Sequence, residues 1–262
     1  MNAVERRTIA DFGEQWTRYP ENVGIYASDD MLADLCAPLL DPAELRGLSV
    51  ADVGSGSGRT AVMLARRGAK VTAIEPSSAF DVLQRNTAGL DIRCLRLRGE
   101  EIPADGFDLV TSFGVIHHIP DPLPTMRAIF NSLRPGGRVL IWVYGREGNG
   151  LYLSIFGPLR AVTTRLPHCV LSGLCWLLGG IASAYGCVAE RLPLPMANYF
   201  RRVFMQMPAD VRRLIIYDQL NPAWAKYYRR EEVEQLLADA GFSDIRLHHR
   251  HEYSWTAIGT KL

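Results

Sequence analysis

The segment Asp52-Val53-Gly54-Ser55-Gly56-Ser57-Gly58 constrains this chain more than any other. It follows the apolar run LSVADV and opens onto Thr60–Arg67, which reads as a helix ending near Gly68. Glycine adopts left-handed backbone angles without a Cβ penalty, so three alternating glycines allow an abrupt strand-to-helix turn. Such a turn is the first unit of a βαβ fold, and its missing side chains let a ligand approach the backbone. The helix N-terminus beyond it favours an anionic group such as a carboxylate. The spacing is G-x-G-x-G, not the G-x-G-x-x-G of dinucleotide sites. A tight βα turn without a ligand would use the same glycines, so the neighbouring residues decide. Glu75 ends the next strand, about 20 residues on, where an acidic side chain can accept hydrogen bonds from both ribose hydroxyls.

The strand and helix alternation continues to residue 144. KVTAIEP, IRCLRL, FDLVTSFGV and RVLIWVY read as strands. Between them, Ala79–Thr87 reads as one helix, and Met126, Ile129, Phe130 and Leu133 mark the face of another, broken by Pro135-Gly136-Gly137. This pattern predicts an α/β fold with a Rossmann-like, doubly wound parallel sheet over residues 48–144. Residues 1–47 read as an N-terminal helical lid. Residues 145–228 are too long for an ordinary connection and read as a helical cap inserted after strand five. In 229–262, a helix over Glu231–Ala240, capped by Gly241, precedes an antiparallel strand pair at the sheet edge.

Charge is nearly balanced, with 29 basic and 28 acidic residues, which counts against a nucleic-acid partner. The five cysteines are odd in number and contain no C-x-x-C pair, and no convincing metal-ligand spacing occurs. Neither a disulfide framework nor a metal site is expected, and a reduced cytoplasm fits. Met1 to Asp11 has no apolar signal core. Cys169 to Ala189 carries no charge and approaches the ~20 residues that span a bilayer. Gly173, Gly179, Gly180 and Gly186 dilute it, so a buried or substrate-facing cap helix is expected, with peripheral membrane contact left open. The pairs Arg201-Arg202, Arg212-Arg213 and Arg229-Arg230 suit a solvated helix face, an anionic substrate or a membrane surface.

ADVGSGSGR, AIEPS, FDLVTSFGVIHHIPDP and LRPGGRVLI resemble, in order and spacing, the successive motifs of class I S-adenosyl-L-methionine (SAM)-dependent methyltransferases. AGFSDIRL and SWTAIGTKL resemble that family's last helix and closing strands, and FGEQWTRYP the aromatic start of its small-molecule members. The resemblance implies SAM as cofactor. It implies Gly54, Ser55 and Gly56 along the methionyl part, Asp52 organising the turn, Glu75 on the ribose, and Pro76 and Ser77 beside the adenine. Gly99 and Glu100 would border the adenine ring, with Glu100 in place of the aspartate many relatives carry. Ser112, Phe113 and Gly114 would lie beneath the sulfonium.

His117 and His118 follow strand four on the rim where acceptors enter such sheets, and a histidine takes a proton readily near neutral pH. A structural histidine bonding a loop carbonyl would sit there equally well. Asp218 is the third candidate for proton transfer. Trp16 and Tyr26 of the lid, His117, and Tyr199, Tyr217, Asn221, Tyr227 and Tyr228 are the candidate acceptor contacts; a self-contained helical core would use the same aromatics. The expected reaction is methyl transfer to O, N or C of a small, partly apolar metabolite of secondary-metabolite, quinone-like or lipid-linked type. A nucleic-acid methyltransferase and a non-catalytic SAM-binding protein are the alternatives. The N/D-P-P-Y/F motif of the former is replaced by Ser112-Phe113-Gly114-Val115. The glycine spacing also argues against an NAD-dependent oxidoreductase. Nothing in the sequence specifies an oligomeric state.

Overall fold

Strands that are apolar on both faces must be covered on both faces, and five parallel strands build most of the sheet. These are β1 (Ser49–Val53), β2 (Lys70–Ile74), β3 (Ile92–Leu95), β4 (Phe107–Phe113) and β5 (Leu133–Tyr144). The computed structural model describes residues 1–21, 27–163, 166–221 and 224–262. Strand order is β3-β2-β1-β4-β5-β7-β6, with β6 (Ser243–Arg250) and β7 (Ser254–Thr260) forming the antiparallel edge. The order reverses between β1 and β4, and the crevice beyond the strand ends at such a point is where open α/β sheets bind ligands.

Helices α1 (Ala3–Arg18) and α2 (Asp29–Cys36) precede the sheet, and α3 (Arg59–Arg66), α4 (Phe80–Asn86) and α5 (Leu123–Ser132) connect its strands. Helix α10 (Arg230–Asp239) follows the cap. Asn2 and Glu5 form a capping box at the start of α1, and Ser28 caps α2. One face of the sheet packs Val53, Ile74 and Val143 against Met126 and Ile129 of α5 and Val233 and Leu237 of α10. The other packs Val50, Leu109 and Leu140 against Leu32, Met63 and Leu64.

The expected helix face through Leu133 is one residue too long. Helix α5 ends at Ser132, and Leu133 already pairs with Phe107. Pro135-Gly136-Gly137 lies within a register shift of β5 and does not act as the helix stop. A Cβ at Gly137 would meet the carbonyl oxygens of Arg134 and Phe107 at 2.8 and 2.9 Å.

Between β5 and α10 the chain forms α6 (Gly150–Thr163), α7 (His168–Ala189), α8 (Ala197–Arg202) and α9 (Ala209–Leu220). These helices share their own small core of Leu171, Cys175, Phe204, Ile216, Tyr217 and Leu220. Two of the basic pairs are split by function. Arg201 closes the end of α7 by donating to the carbonyls of Ala189 and Leu192, and Arg212 donates to Met207 and to Ser183 Oγ, while Arg202 and Arg213 remain exposed. Helix α7 is buried on only one side: Leu171 and Cys175 face the cap core, but Trp176, Leu177 and Ile181 are exposed.

Candidate active site

The crevice past β1 and β4 opens into a cavity of about 1040 Å³. Its first end is made from the glycine turn. Gly54, Gly56 and Gly58 all have positive φ, and a Cβ at Gly56 would come within 2.9 Å of Trp16 Nε1. The turn is anchored from β2, where the Ile74 carbonyl accepts from the amides of both Gly54 and Ser55. Glu75 is buried beside it. Its carboxylate accepts from Gly56 N at 2.9 Å and from both the amide and the hydroxyl of Ser77. Helix α1 covers this end: Gly13 lies against Ser78, Trp16 against Gly56, and the Arg59 guanidinium over the Trp16 ring.

Asp52 ends β1 under the turn. Thr111 donates to its Oδ1 at 3.0 Å, and its buried Oδ2 has no hydrogen-bond partner among the described residues. Burial raises its pKa to about 6, against the opposing pull of its hydrogen bonds. A buried carboxylate oxygen without a donor, under a turn whose own glycines carry no side chains, suits a ligand carrying an ammonium group. Glu75 on the cavity wall suits a ribose. The donor set at this end therefore fits SAM.

Gly54, Ser55, Gly56, Glu75, Pro76, Gly99, Glu100, Phe113 and Gly114 all line the cavity, as the sequence led us to expect. Three of the expected cofactor residues do not line it: Asp52 lies buried beneath the turn, and Ser77 and Ser112 sit behind the wall. Ser77 holds Glu75, and Ser112, fully buried, gives its hydroxyl to the Val53 carbonyl. Successive strand residues face opposite ways, which turns Ser112 away from the cavity that Phe113 lines. Glu100 reaches the wall with its carboxylate already paired to Arg98 at 2.7 Å.

The second end is made from side chains on five segments. Tyr144, at the end of β5, donates to Asp218 Oδ2 at 2.9 Å, and Gln15 of α1 donates to Asp218 Oδ1 at 2.9 Å. Gln219 donates to the Tyr144 hydroxyl and accepts from Tyr152 and Tyr227, each at 2.8 Å. His118 stands next to this network, with its ring 5.6 Å from that of Tyr144 and 4.6 Å from that of Phe12. Its Nδ1 lies 2.8 Å from the Trp224 carbonyl, which only a protonated Nδ1 can satisfy. Nε2 is thereby the basic nitrogen. Burial lowers the His118 pKa to about 4, partly opposed by the Asp218 charge and the bond to Trp224. The imidazole is neutral at physiological pH.

The structure separates the two histidines. His117 is fully buried and does not line the cavity. Its ring lies 3.8 Å from that of Tyr144, both its nitrogens lack hydrogen-bond partners among the described residues, and burial holds its pKa well below the usual range. It packs beneath Tyr144, off the cavity wall where the sequence reading placed it. Tyr227 and Tyr228 divide in the same way. Tyr227 lines the cavity, whereas Tyr228 enters the core between the sheet and α10. Tyr217 belongs to the cap core, and Asn221 ties the cap to the lid by donating to the Asp11 carbonyl. Trp16, Tyr199 and Asp218 do line the cavity, and Tyr26 lies outside the described residues. Gln15, Tyr144, Tyr152 and Gln219 were not singled out from sequence. Tyr144 alone carried a signal, as the polar end of the alternate series Leu140, Trp142, Tyr144 at the ligand-binding edge of the sheet. Among the described residues no cluster of metal-ligating side chains occurs.

A methyltransferase domain matches residues 26–247. The ubiquinone biosynthesis O-methyltransferase of Pseudomonas putida (strain GB-1) is 30% identical over 165 residues, 60% of this chain and 71% of that protein. The protein of the same name from Pseudomonas entomophila (strain L48) is 34% identical over 120 residues, so that this chain spans about half of it (51%) and the match covers 43% of this chain. Among solved structures, magnesium protoporphyrin IX methyltransferase from Synechocystis shares the fold at a TM-score of 0.56 and 14% identity, with both chains covered completely. This chain belongs to the methyltransferase-domain family, and SAM is the cofactor that the groups at the glycine turn fit.

Proposed function

We propose that the protein methylates a hydroxyl oxygen of a small, partly apolar acceptor, with His118 as the base. One observation carries this reading: a single cavity runs from the glycine turn and Glu75, past Gly114, to His118 and the aromatic cap. When bound, SAM supplies a methyl group already activated by its sulfonium, which leaves the protein to align, exclude water and remove a proton. Gly54, Ser55 and Gly56 hold the methionyl part, Asp52 offers its free oxygen to the ammonium, and Glu75, fixed by Ser77, takes the ribose. Pro76, Gly99 and Glu100 border the adenine, while Phe113 and Gly114 floor the reacting end.

As the acceptor oxygen attacks, its proton passes to His118 Nε2. The imidazolium that forms is stabilised by the Asp218 carboxylate, which Gln15 and Tyr144 hold in place. Tyr152, Phe156, Tyr199 and Tyr227 supply the acceptor with aromatic walls. The names of the Pseudomonas relatives, O-methyltransferases of ubiquinone biosynthesis, support oxygen as the methylated atom and a quinone-like acceptor. Residues 1–47 serve as lid, 48–144 and 229–262 as core, and 145–228 as cap, in a cytoplasmic enzyme. The test is a mass-spectrometric screen of hydroxylated and amine acceptors with SAM. Turnover confined to hydroxylated acceptors, and lost in His118→Ala, is expected. Turnover confined to amines, or undiminished in His118→Ala, overturns the assignment.

A further inference from the structure

We infer that the outer face of α7 docks on the surface of an anionic phospholipid bilayer, a role separate from methyl transfer. Seven of the twelve exposed large apolar side chains among the described residues lie on this helix or beside its ends. Val170, Trp176, Leu177, Ile181 and Val188 on the helix are each 47–66% exposed, and Val162 and Leu192 flank it. Monomeric proteins scatter such residues singly, and a contiguous apolar face marks an interaction surface. Helix α7 has no charged side chain from end to end. At ~1.5 Å per residue, its 22 residues make the face about 33 Å long.

The charge around the helix selects the partner. Residues 150–221 contain seven arginines and three carboxylates, a net +4, although the whole chain is only +1. Arg213 rests its stem against Gly179 of α7, and Arg191 stands just past the end of the helix; both are exposed. Glu190 is the exposed carboxylate beside them, and Asp218 is engaged in the network inside the cavity. A second copy of the chain, docked face to face about a two-fold axis, would bring the same arginines together. An anionic lipid surface supplies the opposite charge. Trp176 is the most exposed large apolar side chain of the helix, and its indole suits the headgroup level, where one side is apolar and the other wet.

Although α7 is long and apolar enough to cross a membrane, its inner face is committed to the cap core through Leu171 and Cys175. It therefore lies in the interface and does not span. Leu178, Ile181 and Tyr185 of the same helix line the acceptor end of the cavity. The docked face thus borders the cavity wall, so an acceptor dissolved in lipid meets the cavity at the bilayer surface.

Vesicle flotation tests this. Wild-type protein is expected to float with phosphatidylcholine vesicles containing about one third phosphatidylglycerol, and about tenfold less with phosphatidylcholine alone. Trp176→Asp combined with Leu177→Asp should lower binding to the mixed vesicles by about tenfold or more. Arg191→Glu with Arg213→Glu should lower it comparably, and high salt should mimic that change. The thermal melt of each variant reports on folding without reference to cofactor or turnover. Folded wild-type protein that stays with the pellet fraction in the presence of anionic vesicles overturns the inference. So does a dimer, seen by light scattering, that the Trp176 and Leu177 changes dissociate, because the face would then belong to a second copy.

Discussion

The two ends of the cavity differ in what they are made of. The cofactor end is backbone: positive-φ glycines, amides held by the Ile74 carbonyl, and a carboxylate that itself rests on the amides of Gly56 and Ser77. The acceptor end is a network of side chains drawn from α1, β5, α6, α9 and the segment between α9 and α10. A backbone site tolerates almost no change at its glycines but little depends on the identity of distant residues. A side-chain network can be altered one contact at a time. The difference explains how one cofactor site can be shared across a family while the acceptor site is rebuilt.

The sharpest way to break this comparison is Gly56→Val. Its φ of 55° is strained for a branched residue, and its Cβ would meet Trp16 at 2.9 Å. Calorimetry should show SAM affinity reduced by more than ~100-fold. Near-native affinity in a folded variant would remove the turn from the cofactor site. At the other end, His118→Ala should lower kcat by about 10²–10⁴-fold and leave SAM affinity unchanged. Loss of SAM binding instead would give His118 to the cofactor. Glu75→Gln keeps the shape but weakens charged hydrogen bonding, so SAM affinity should fall by about 1–3 kcal/mol. An unchanged dissociation constant would move the ribose contact elsewhere. Gln15→Ala removes one bond between lid and cap and should lower unfolding stability by about 1 kcal/mol, measured by denaturant melts; a variant as stable as wild type would make that contact incidental.

The smallest effect is in the pH dependence of stability, where the two ends oppose each other. His118 is depressed from 6.5 to about 4, so its contribution is complete above pH 6.5 and lost as pH falls through 4. Asp52 is raised from 3.8 to about 6, so its contribution is complete below pH 3.8 and lost as pH rises through 6. Between pH 4 and 6 the two slopes largely cancel in ligand-free protein. Asp52→Asn should expose the slope of His118, with that of buried His117 in the same direction, as a melting temperature that climbs more steeply with pH over that range. Parallel wild-type and variant profiles would contradict the Asp52 assignment.

The parallel sheet was legible because β1, β2, β4 and β5 are continuous apolar runs separated by helix-length segments. Glu75 was legible because a strand end fixes where its side chain goes. Adjacent pairs were not. His117 against His118 and Tyr227 against Tyr228 are chemically identical neighbours whose roles depend on which way a turn or extended segment faces, and that is set by packing. The Gln15 to Asp218 contact joins residues 203 positions apart and leaves no local pattern. The outer face of α7 was hidden for a third reason. An apolar helix looks the same in sequence whether its second face meets protein or not.

Helix α1 takes part in both ends at once. Consecutive residues do this: Trp16 rests on the glycine turn, and Gln15 holds the carboxylate beside the base. If cofactor exchange past Trp16 requires the helix to lift, Asp218 loses its Gln15 bond in the same motion. Each turnover would then dismantle the proposed proton-accepting site and rebuild it, so that the helix would set the pace of the cycle. The expected signature is a rapid first turnover in a quenched-flow experiment, followed by a slower steady rate common to good and poor acceptors alike.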